Sequence, residues 1–160
     1  MTSWTDVTAV APDLADDVRA RFEAHGLGLL ATLRADGSPR ISGVEPWFAH
    51  YQLWLGMMPD SLKARDLQRD PRLELHSATV DKQVTDGDAR IGGRAVEVLD
   101  PDRQRLAMGA FEEVSGYPPP PGPFHLFEVD VRALVLTGPA GDHLLIRTWD
   151  PQRGERRIER

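Results

Sequence analysis

The sequence predicts a mainly β protein, a small antiparallel barrel whose ends are closed by three short helices. Six or more runs have the apolar pattern of strands, and three segments show the period of amphipathic helices. The 160 residues, 41 % of them apolar, suffice for one hydrophobic core, whereas two domains would each be small. We therefore expect one domain over residues 1–160.

The first helix is predicted over residues 13–24. Leu14, Val18 and Phe22 recur at every fourth position and therefore share one face of the helix. Gly26 follows as a C-terminal stop, because glycine readily adopts the left-handed conformation that ends many helices.

Three strands are predicted next, over residues 27–34, 39–48 and 51–57. Asp36-Gly37 between the first two runs is a strong hairpin signal, because both residue types tolerate the backbone of a tight turn. The third strand follows the second through a turn at Ala49-His50, so we expect two consecutive antiparallel pairs.

A second helix is predicted over residues 61–70, followed by a strand over residues 72–80. Ser61 is a good N-cap, because its hydroxyl can accept a bond from a free backbone N–H. Pro71 marks the end of the helix, since the residue before a proline avoids the α region.

A polar loop over residues 81–87 leads into a strand over residues 89–99, in which Gly92-Gly93 indicates a bulge or a close backbone approach. The third helix opens at Asp100-Pro101, a cap followed by proline, and ends near Ser115-Gly116. The residues expected to point inward from it are Leu106, Ala110, Phe111 and Val114.

The segment over residues 117–123 is predicted to be a stiff polyproline-type connector, because five of its seven residues are proline. Two long strands follow, over residues 124–137 and 143–149, with a turn at residues 138–142. The charged tail over residues 150–160 is either a final short strand or frayed.

Composition excludes several classes of function. Without cysteine there is no disulfide scaffold, thiolate metal site, iron–sulfur cluster or cysteine nucleophile. The net charge of −6 argues against a nucleic-acid partner. No apolar run approaches the roughly 18 residues of a membrane span. The N-terminus also lacks the pattern of a signal peptide, so we expect a cytoplasmic protein.

Familiar catalytic motifs are also missing. The sequence contains neither a glycine-rich phosphate loop nor a Gly-x-Ser-x-Gly elbow. Its five histidines are scattered, so we predict no metal site, and its paired acids lie on predicted helices, where a solvated face is the simpler interpretation. We therefore name no catalytic residue.

One segment has the features of an anion site. Ser61 caps a helix whose first turn carries Lys63 and Arg65, and free N–H groups at such a start attract a phosphate. Arg65 or Arg40 could add a forked contact. On these residues alone, an ordinary capped surface helix is the alternative interpretation, and it stays open.

Over residues 26–149 the chain resembles the pyridoxamine 5′-phosphate oxidase-like, flavin-binding split-barrel superfamily. The resemblance implies a split β-barrel of antiparallel Greek-key strands. The order and spacing of the matching motifs are together more specific than any one motif. The motifs that carry it are Asp36-Gly37-Ser38-Pro39-Arg40, Ser61-Leu62-Lys63, Asp70-Pro71-Arg72, Asp88-Ala89-Arg90-Ile91-Gly92-Gly93-Arg94-Ala95 and Pro123-Phe124-His125-Leu126-Phe127-Glu128-Val129.

The resemblance implies a phosphate site made by Arg40, Ser61 and Lys63. Leu62 stands where the oxidases have an arginine, so one phosphate contact is missing, and Arg65 is its candidate replacement. The further residues that the resemblance places at the flavin are Ser42 to Val44 and Gly56 to Met57 along the ring edge, and Trp149. It also implies a homodimer whose interface holds the site, so that part of the site comes from the other subunit.

The cofactor and the substrate are less constrained. The pyridoxamine oxidases are longer and end in an arginine-bearing substrate motif that this chain lacks, and the shorter actinobacterial members, many of which use F-420, are more similar. We expect an oxidoreductase that uses FMN, with F-420 as the alternative, on a small organic molecule. A non-enzymatic flavin carrier or sensor, and a barrel that binds haem or nothing, are the other hypotheses. The aromatics Trp47, Phe48 and Trp54 either line the pocket or, more commonly for such residues, fill the core.

Overall fold

An antiparallel sheet and four short helices form the part of the chain that the structure describes, residues 1–119 and 121–160 of a computed structural model. The helices are α1 (Trp4–Val10), α2 (Pro12–Glu23), α3 (Leu62–Arg69) and α4 (Pro101–Ser115). The strands are β1 (Gly28–Leu33), β2 (Pro39–Val44), β3 (Pro46–Ala49), β4 (Gln52–Met57), β5 (Arg72–Ser77), β6 (Asp88–Glu97), β7 (His125–Ala140), β8 (His143–Asp150) and β9 (Gly154–Glu159).

The strand order around the sheet is β2-β1-β5-β6-β7-β4-β3. In addition, β8 pairs with the C-terminal half of β7, and β9 pairs with β8. Neighbours that are distant in the chain, such as β1 with β5 and β4 with β7, are the crossovers expected of Greek-key connections. The predicted fold class, a mainly β split barrel with short helices, is confirmed.

The local hairpin and bulge signals are confirmed as well. β1 and β2 pair from Gly28 with Val44 to Leu33 with Pro39, and Gly37 in their turn has a φ of 83°. The register of β6 against β7 shifts between Gly92 and Gly93, and a side chain at Gly93 would stand 2.7 Å from the Asp130 carbonyl oxygen. Glycine is therefore required at Gly93 by a close backbone approach.

The strand predicted over residues 39–48 is two strands. β2 ends at Val44 and pairs with β1, whereas β3 starts at Pro46 and pairs with β4. Proline has no N–H to donate, so Pro46 starts a strand more readily than it continues one. The break puts Glu45 at a bend between two sheet segments, a placement that strand periodicity does not predict.

The N-terminal helix α1 was not predicted, although its signal is in the sequence. Ser3 and Asp6 form a capping box, in which each side chain accepts a bond from the other residue's backbone N–H. The buried side chains of Trp4 and Val7 attach the helix to the core. At the other end of the chain, the tail is a strand, β9, and β7 runs three residues further than predicted, to Ala140.

Two clusters of buried side chains lie on the sheet. The larger one is covered by α1 and α2 and contains Phe48 and Trp149, and the face of α2 that it buries is the predicted one. The smaller one lies under α4 and contains Trp47 and Trp54. No helix within residues 1–119 and 121–160 is long and apolar enough to cross a membrane.

The inward face of α4 differs in part from the prediction. Ala110 and Phe111 are buried together with Ala107, but Leu106 and Val114 are half exposed. The buried stripe is therefore narrow, and its Phe111 packs against Trp47 of β3. The connector predicted over residues 117–123 includes residue 120, which lies outside the described residues.

Candidate functional site

A cavity of about 510 Å³ opens between the start of α3, the strands β2 and β4, and the wall formed by α4 and the segment after it. This volume is in the range of small-molecule and cofactor sites. Its described lining residues are Leu27, Gly43, Val44, Glu45, Trp47, Gly56, Met57, Met58, Pro59, Ser61, Lys63, Met108, Phe111, Pro121, Pro123 and Phe124. The cavity therefore brings together five of the residues that the family resemblance implies at a flavin: Val44, Gly56, Met57, Ser61 and Lys63.

The polar end of the cavity is the first turn of α3. The Ser61 hydroxyl accepts a bond from the Ala64 N–H at 3.4 Å, and Lys63 Nζ donates to the Gly43 carbonyl oxygen at 2.6 Å. Desolvation lowers the pKa of Lys63, and the negative charge of Glu45 acts in the opposite direction. The ammonium thus reaches across from α3 to β2 and stands at the cavity wall.

The floor of the cavity is apolar and tightly packed. Trp47 is buried, its Nε1–H donates to the Ala107 carbonyl oxygen at 3.2 Å, and its ring packs edge-on against Phe111 at 5.1 Å. A side chain at Gly56 would stand 3.3 Å from the Trp47 ring. Glycine at this position on β4 therefore leaves room for the indole ring.

A carboxylate that the sequence reasoning did not select also lines the cavity. The hydroxyl of Tyr117, just after α4, donates to Glu45 Oε2 at 2.5 Å. That hydrogen bond raises the pKa of the Tyr117 phenol. The sequence feature that could have indicated Glu45 is its charge, immediately before Pro46 and inside an otherwise strand-like run.

Arg40 lies outside the cavity lining and is engaged by a buried carboxylate. Its Nε donates to Asp66 Oδ2 at 2.7 Å, and Thr32 and Arg69 donate to the same carboxylate at 2.9 and 3.1 Å. Burial alone would raise the pKa of Asp66, but these donors outweigh it and hold the pKa below its ordinary value. Arg40 thus joins β2 to α3 rather than pointing a free guanidinium at the cavity.

Three other predicted residues also lie outside the cavity lining. Arg65 pairs with Asp60 at 2.8 Å on the exposed side of α3. Ser42 stands on β2 opposite Leu30 of β1. Trp149 is buried in the larger core cluster, where β8 pairs with β7.

The comparison with known families decides the relationship of the chain. The family model for pyridoxamine 5′-phosphate oxidase matches residues 14–137, which is well over half of the sequence. The chain belongs to this family. No match is found among curated protein sequences.

Solved structures show the same fold. A pyridoxamine 5′-phosphate oxidase-related, FMN-binding protein from Nostoc punctiforme is 16 % identical, with 94 % of this chain and 95 % of that one covered and a TM-score of 0.64. The haem storage protein HutZ from Vibrio cholerae is 18 % identical over 79 % of this chain and 94 % of its own, with a TM-score of 0.58. An F420 reductase is 18 % identical over 68 % and 87 %, with a TM-score of 0.53. At these identities the likeness shows the fold alone.

Proposed function

We propose that the chain is an oxidoreductase that binds FMN, or in its place F-420, in the cavity at the start of α3 and acts on a small organic molecule in the cytoplasm. The observation that carries the proposal is that one cavity joins Ser61 and Lys63, at a helix start, to apolar walls. FMN needs both, because its phosphate is anionic and the faces of its flat ring system pack on apolar side chains. The bound cofactor would supply the hydride or electron transfer.

The phosphate end of the cofactor fits the residues at the start of α3. Lys63 supplies the ammonium and Ser61 supplies a hydroxyl, at a helix start whose positive dipole end favours an anion. In this arrangement Lys63 exchanges the Gly43 carbonyl for the phosphate. Arg40 acts on this site indirectly, since its bond to Asp66 holds α3 against β2.

The ring end fits the apolar part of the cavity. Trp47, Met57 and Phe111 form surfaces on which a flat ring can pack, and Gly43 presents backbone without a side chain. These groups orient the ring and exclude water from one of its sides.

We further propose that the working unit is a homodimer and that the second copy completes the site. Leu29 and Ile41 are exposed neighbours on one face of the β1–β2 hairpin, with Ile41 71 % exposed. Leu27, which lines the cavity and lies two residues before Leu29, is exposed as well. An apolar patch on this face is typical of a subunit interface.

Two other functions remain as candidates. A carrier or sensor would hold the flavin without turning over a second ligand. Haem is the further candidate, and the likeness to a haem storage protein in fold is the observation behind it. The lining residues of the cavity in the described part of the chain include no histidine, the commonest haem ligand in globins and peroxidases, which favours the flavin.

The test is the spectrum of the purified protein, followed by titration of the cofactor-free protein with FMN, F-420 and haem. We expect flavin absorbance bands, or binding of F-420 to a colourless protein. Binding of haem alone would replace the proposal by the haem candidate, and binding of none of the three would contradict it. Turnover of reduced cofactor in the presence of small electron acceptors separates the enzyme from the carrier.

A further inference from the structure

Glu45 has an unusual position for a charged residue in this fold. It stands at the bend between β2 and β3, between the buried residues Val44 and Pro46, yet its own side chain is exposed to the cavity. It is the one carboxylate among the described lining residues. The remaining lining is mostly aliphatic, aromatic or thioether, so a ligand in the cavity meets few polar groups besides Glu45, Ser61 and Lys63.

The contact with Tyr117 places the carboxylate on the side of the cavity that α4 forms. The Tyr117 hydroxyl donates to Glu45 Oε2 at 2.5 Å, and the Tyr117 ring packs edge-on against Phe111 at 5.4 Å. An ionised carboxylate accepts several hydrogen bonds, so one phenol leaves capacity for a ligand. The pair therefore lies beside Phe111 on the wall that faces the floor residue Trp47.

The charge balance of the cavity changes when a phosphate arrives. Lys63 and Glu45 are close enough for the carboxylate to favour the charged ammonium, since Lys63 donates to Gly43, two residues from Glu45. Without a ligand the two charges compensate each other. A phosphate group adds a charge of about −1.5 to −2 and engages Lys63. Glu45 is then the charged group that faces the second ligand, in a site of net negative charge.

We propose that Glu45 determines specificity by selecting a substrate that presents a cationic or N–H-donating group, and by disfavouring one that presents a carboxylate or phosphate. This inference rests on the proposed function, because it assumes that the cofactor's phosphate takes the Lys63 end. The substrate class is thus an apolar molecule about the size of one aromatic ring that carries a basic nitrogen. Tyr117 holds the carboxylate in place until that nitrogen arrives.

Three matched probes test the proposal: benzylamine, benzyl alcohol and benzoate, which share a ring and differ in charge. Each is titrated into the protein saturated with FMN or F-420 at neutral pH, and binding is followed by the cofactor's absorbance or fluorescence. We expect benzylamine to bind about ten times more tightly than benzoate, the effect of one charge-assisted hydrogen bond and one repulsion. Benzyl alcohol should lie between them.

Variants separate a selecting role from a merely structural one. Glu45→Gln should remove the preference for benzylamine, and Glu45→Lys should reverse it. Tyr117→Phe removes the hydrogen bond to Glu45 and should keep or increase the preference for benzylamine. If Glu45 only anchors Tyr117, Glu45→Gln and Tyr117→Phe should instead change the binding of the probes in the same way. Glu113→Gln, which neutralises an exposed acid on α4, is the control and should change nothing.

The outcomes distinguish this inference from the proposed function. If the protein binds a cofactor but shows equal affinity for the three probes, or binds none of them, the inference fails and the proposed function stands. If neither cofactor binds, the proposed function fails. The probes are then titrated against the fluorescence of the protein's tryptophans, which include Trp47 on the cavity floor, and a preference lost in Glu45→Gln would still support Glu45 as a cation-selecting residue.

Discussion

Lys63 is the residue on which the proposed cofactor site depends most directly. Its ammonium is the one Lys or Arg cation among the described residues that line the cavity, and in the free protein it is held by the Gly43 carbonyl oxygen. The arginines that the sequence offered as partners are engaged elsewhere, Arg40 by Asp66 and Arg65 by Asp60. In the proposed cofactor site, a single residue would therefore make most of the direct charge contact with the phosphate.

Replacing Lys63 by alanine should weaken binding of the cofactor by about 1 to 3 kcal/mol, the scale of a lost charge-assisted hydrogen bond. The measurement is a fluorescence titration of the cofactor into wild type and Lys63→Ala. Lys82→Ala is the matched control, because Lys82 is the other lysine of the chain and lies exposed in the loop before β6. Equal affinities for wild type and Lys63→Ala would contradict the assignment.

A second residue-scale prediction concerns the pair of Arg40 and Asp66. Arg40→Ala removes the closest donor of a carboxylate whose side chain is 5 % exposed, so the free energy of unfolding should fall by about 2 kcal/mol. Denaturant unfolding measures it, and Arg153→Ala, at an exposed turn, should change it little. An unchanged free energy of unfolding in Arg40→Ala would contradict this assignment.

The same pair predicts a pH dependence of stability. The pKa of Asp66 is lower in the folded protein than its ordinary value of 3.8. The stabilisation is therefore fully present above that ordinary value and is lost as the pH falls through the lower folded value. Unfolding curves from neutral pH to about pH 3 should show a smaller acid loss for Asp66→Asn, itself less stable at neutral pH, than for wild type. An identical acid loss in both proteins would contradict the assignment.

At the scale of elements, the turn between β3 and β4 carries backbone strain. His50 and Tyr51 have φ values of 47° and 70°, in the left-handed region that glycine and asparagine prefer. The turn is kept nonetheless, because the Tyr51 carbonyl oxygen accepts a bond from the Thr5 N–H of α1.

Tyr51→Gly should therefore raise the stability of the protein by about 1 kcal/mol, because glycine adopts this φ without a steric penalty. Thermal unfolding measures the gain. Tyr51→Ala is the control, since it removes the exposed ring but keeps a Cβ at positive φ, and it should show no comparable gain. A gain of the same size in both variants would mean that the ring, not the backbone, is the source of the strain.

Elements with strong local signals were predictable, and those set by neighbours were not. The Asp36-Gly37 hairpin, the Ser61 cap and the Gly92-Gly93 bulge are encoded within a few residues, and the structure has all three. The break at Glu45 was missed because its strand-like sequence continues through it. The break occurs because β2 pairs with β1, whereas β3 pairs with β4. The periodicity of a strand does not show which strands will pair with it.

At the scale of the whole molecule, the proposed homodimer bears on whether one chain contains the whole cofactor site. Ile41→Arg puts a charge into the exposed apolar patch of the β1–β2 hairpin, so we expect it to shift the protein to monomers and to weaken cofactor binding as well. Light scattering after size exclusion measures the first effect and titration the second. Leu144→Arg changes a residue on β8 that is 42 % exposed and should leave both unchanged.

If Ile41→Arg stays dimeric, the interface does not lie on this patch. If it is monomeric and binds the cofactor with full affinity, one chain is sufficient to form the cofactor site. The lining of the cavity already brings together residues as distant in the chain as Leu27 and Phe124.

The sequence by itself determined the fold class, most strand and helix positions, and the family to which the chain belongs. Of the nine binding residues predicted from the sequence and its family resemblance, five line the cavity: Val44, Gly56, Met57, Ser61 and Lys63. Only the tertiary structure decided that Arg40 is engaged by Asp66, that Trp149 fills the core and that Glu45 faces the cavity. The physical reason is that a motif specifies the type of a side chain and its local backbone, whereas its partners are brought by strands and helices that are distant in the chain.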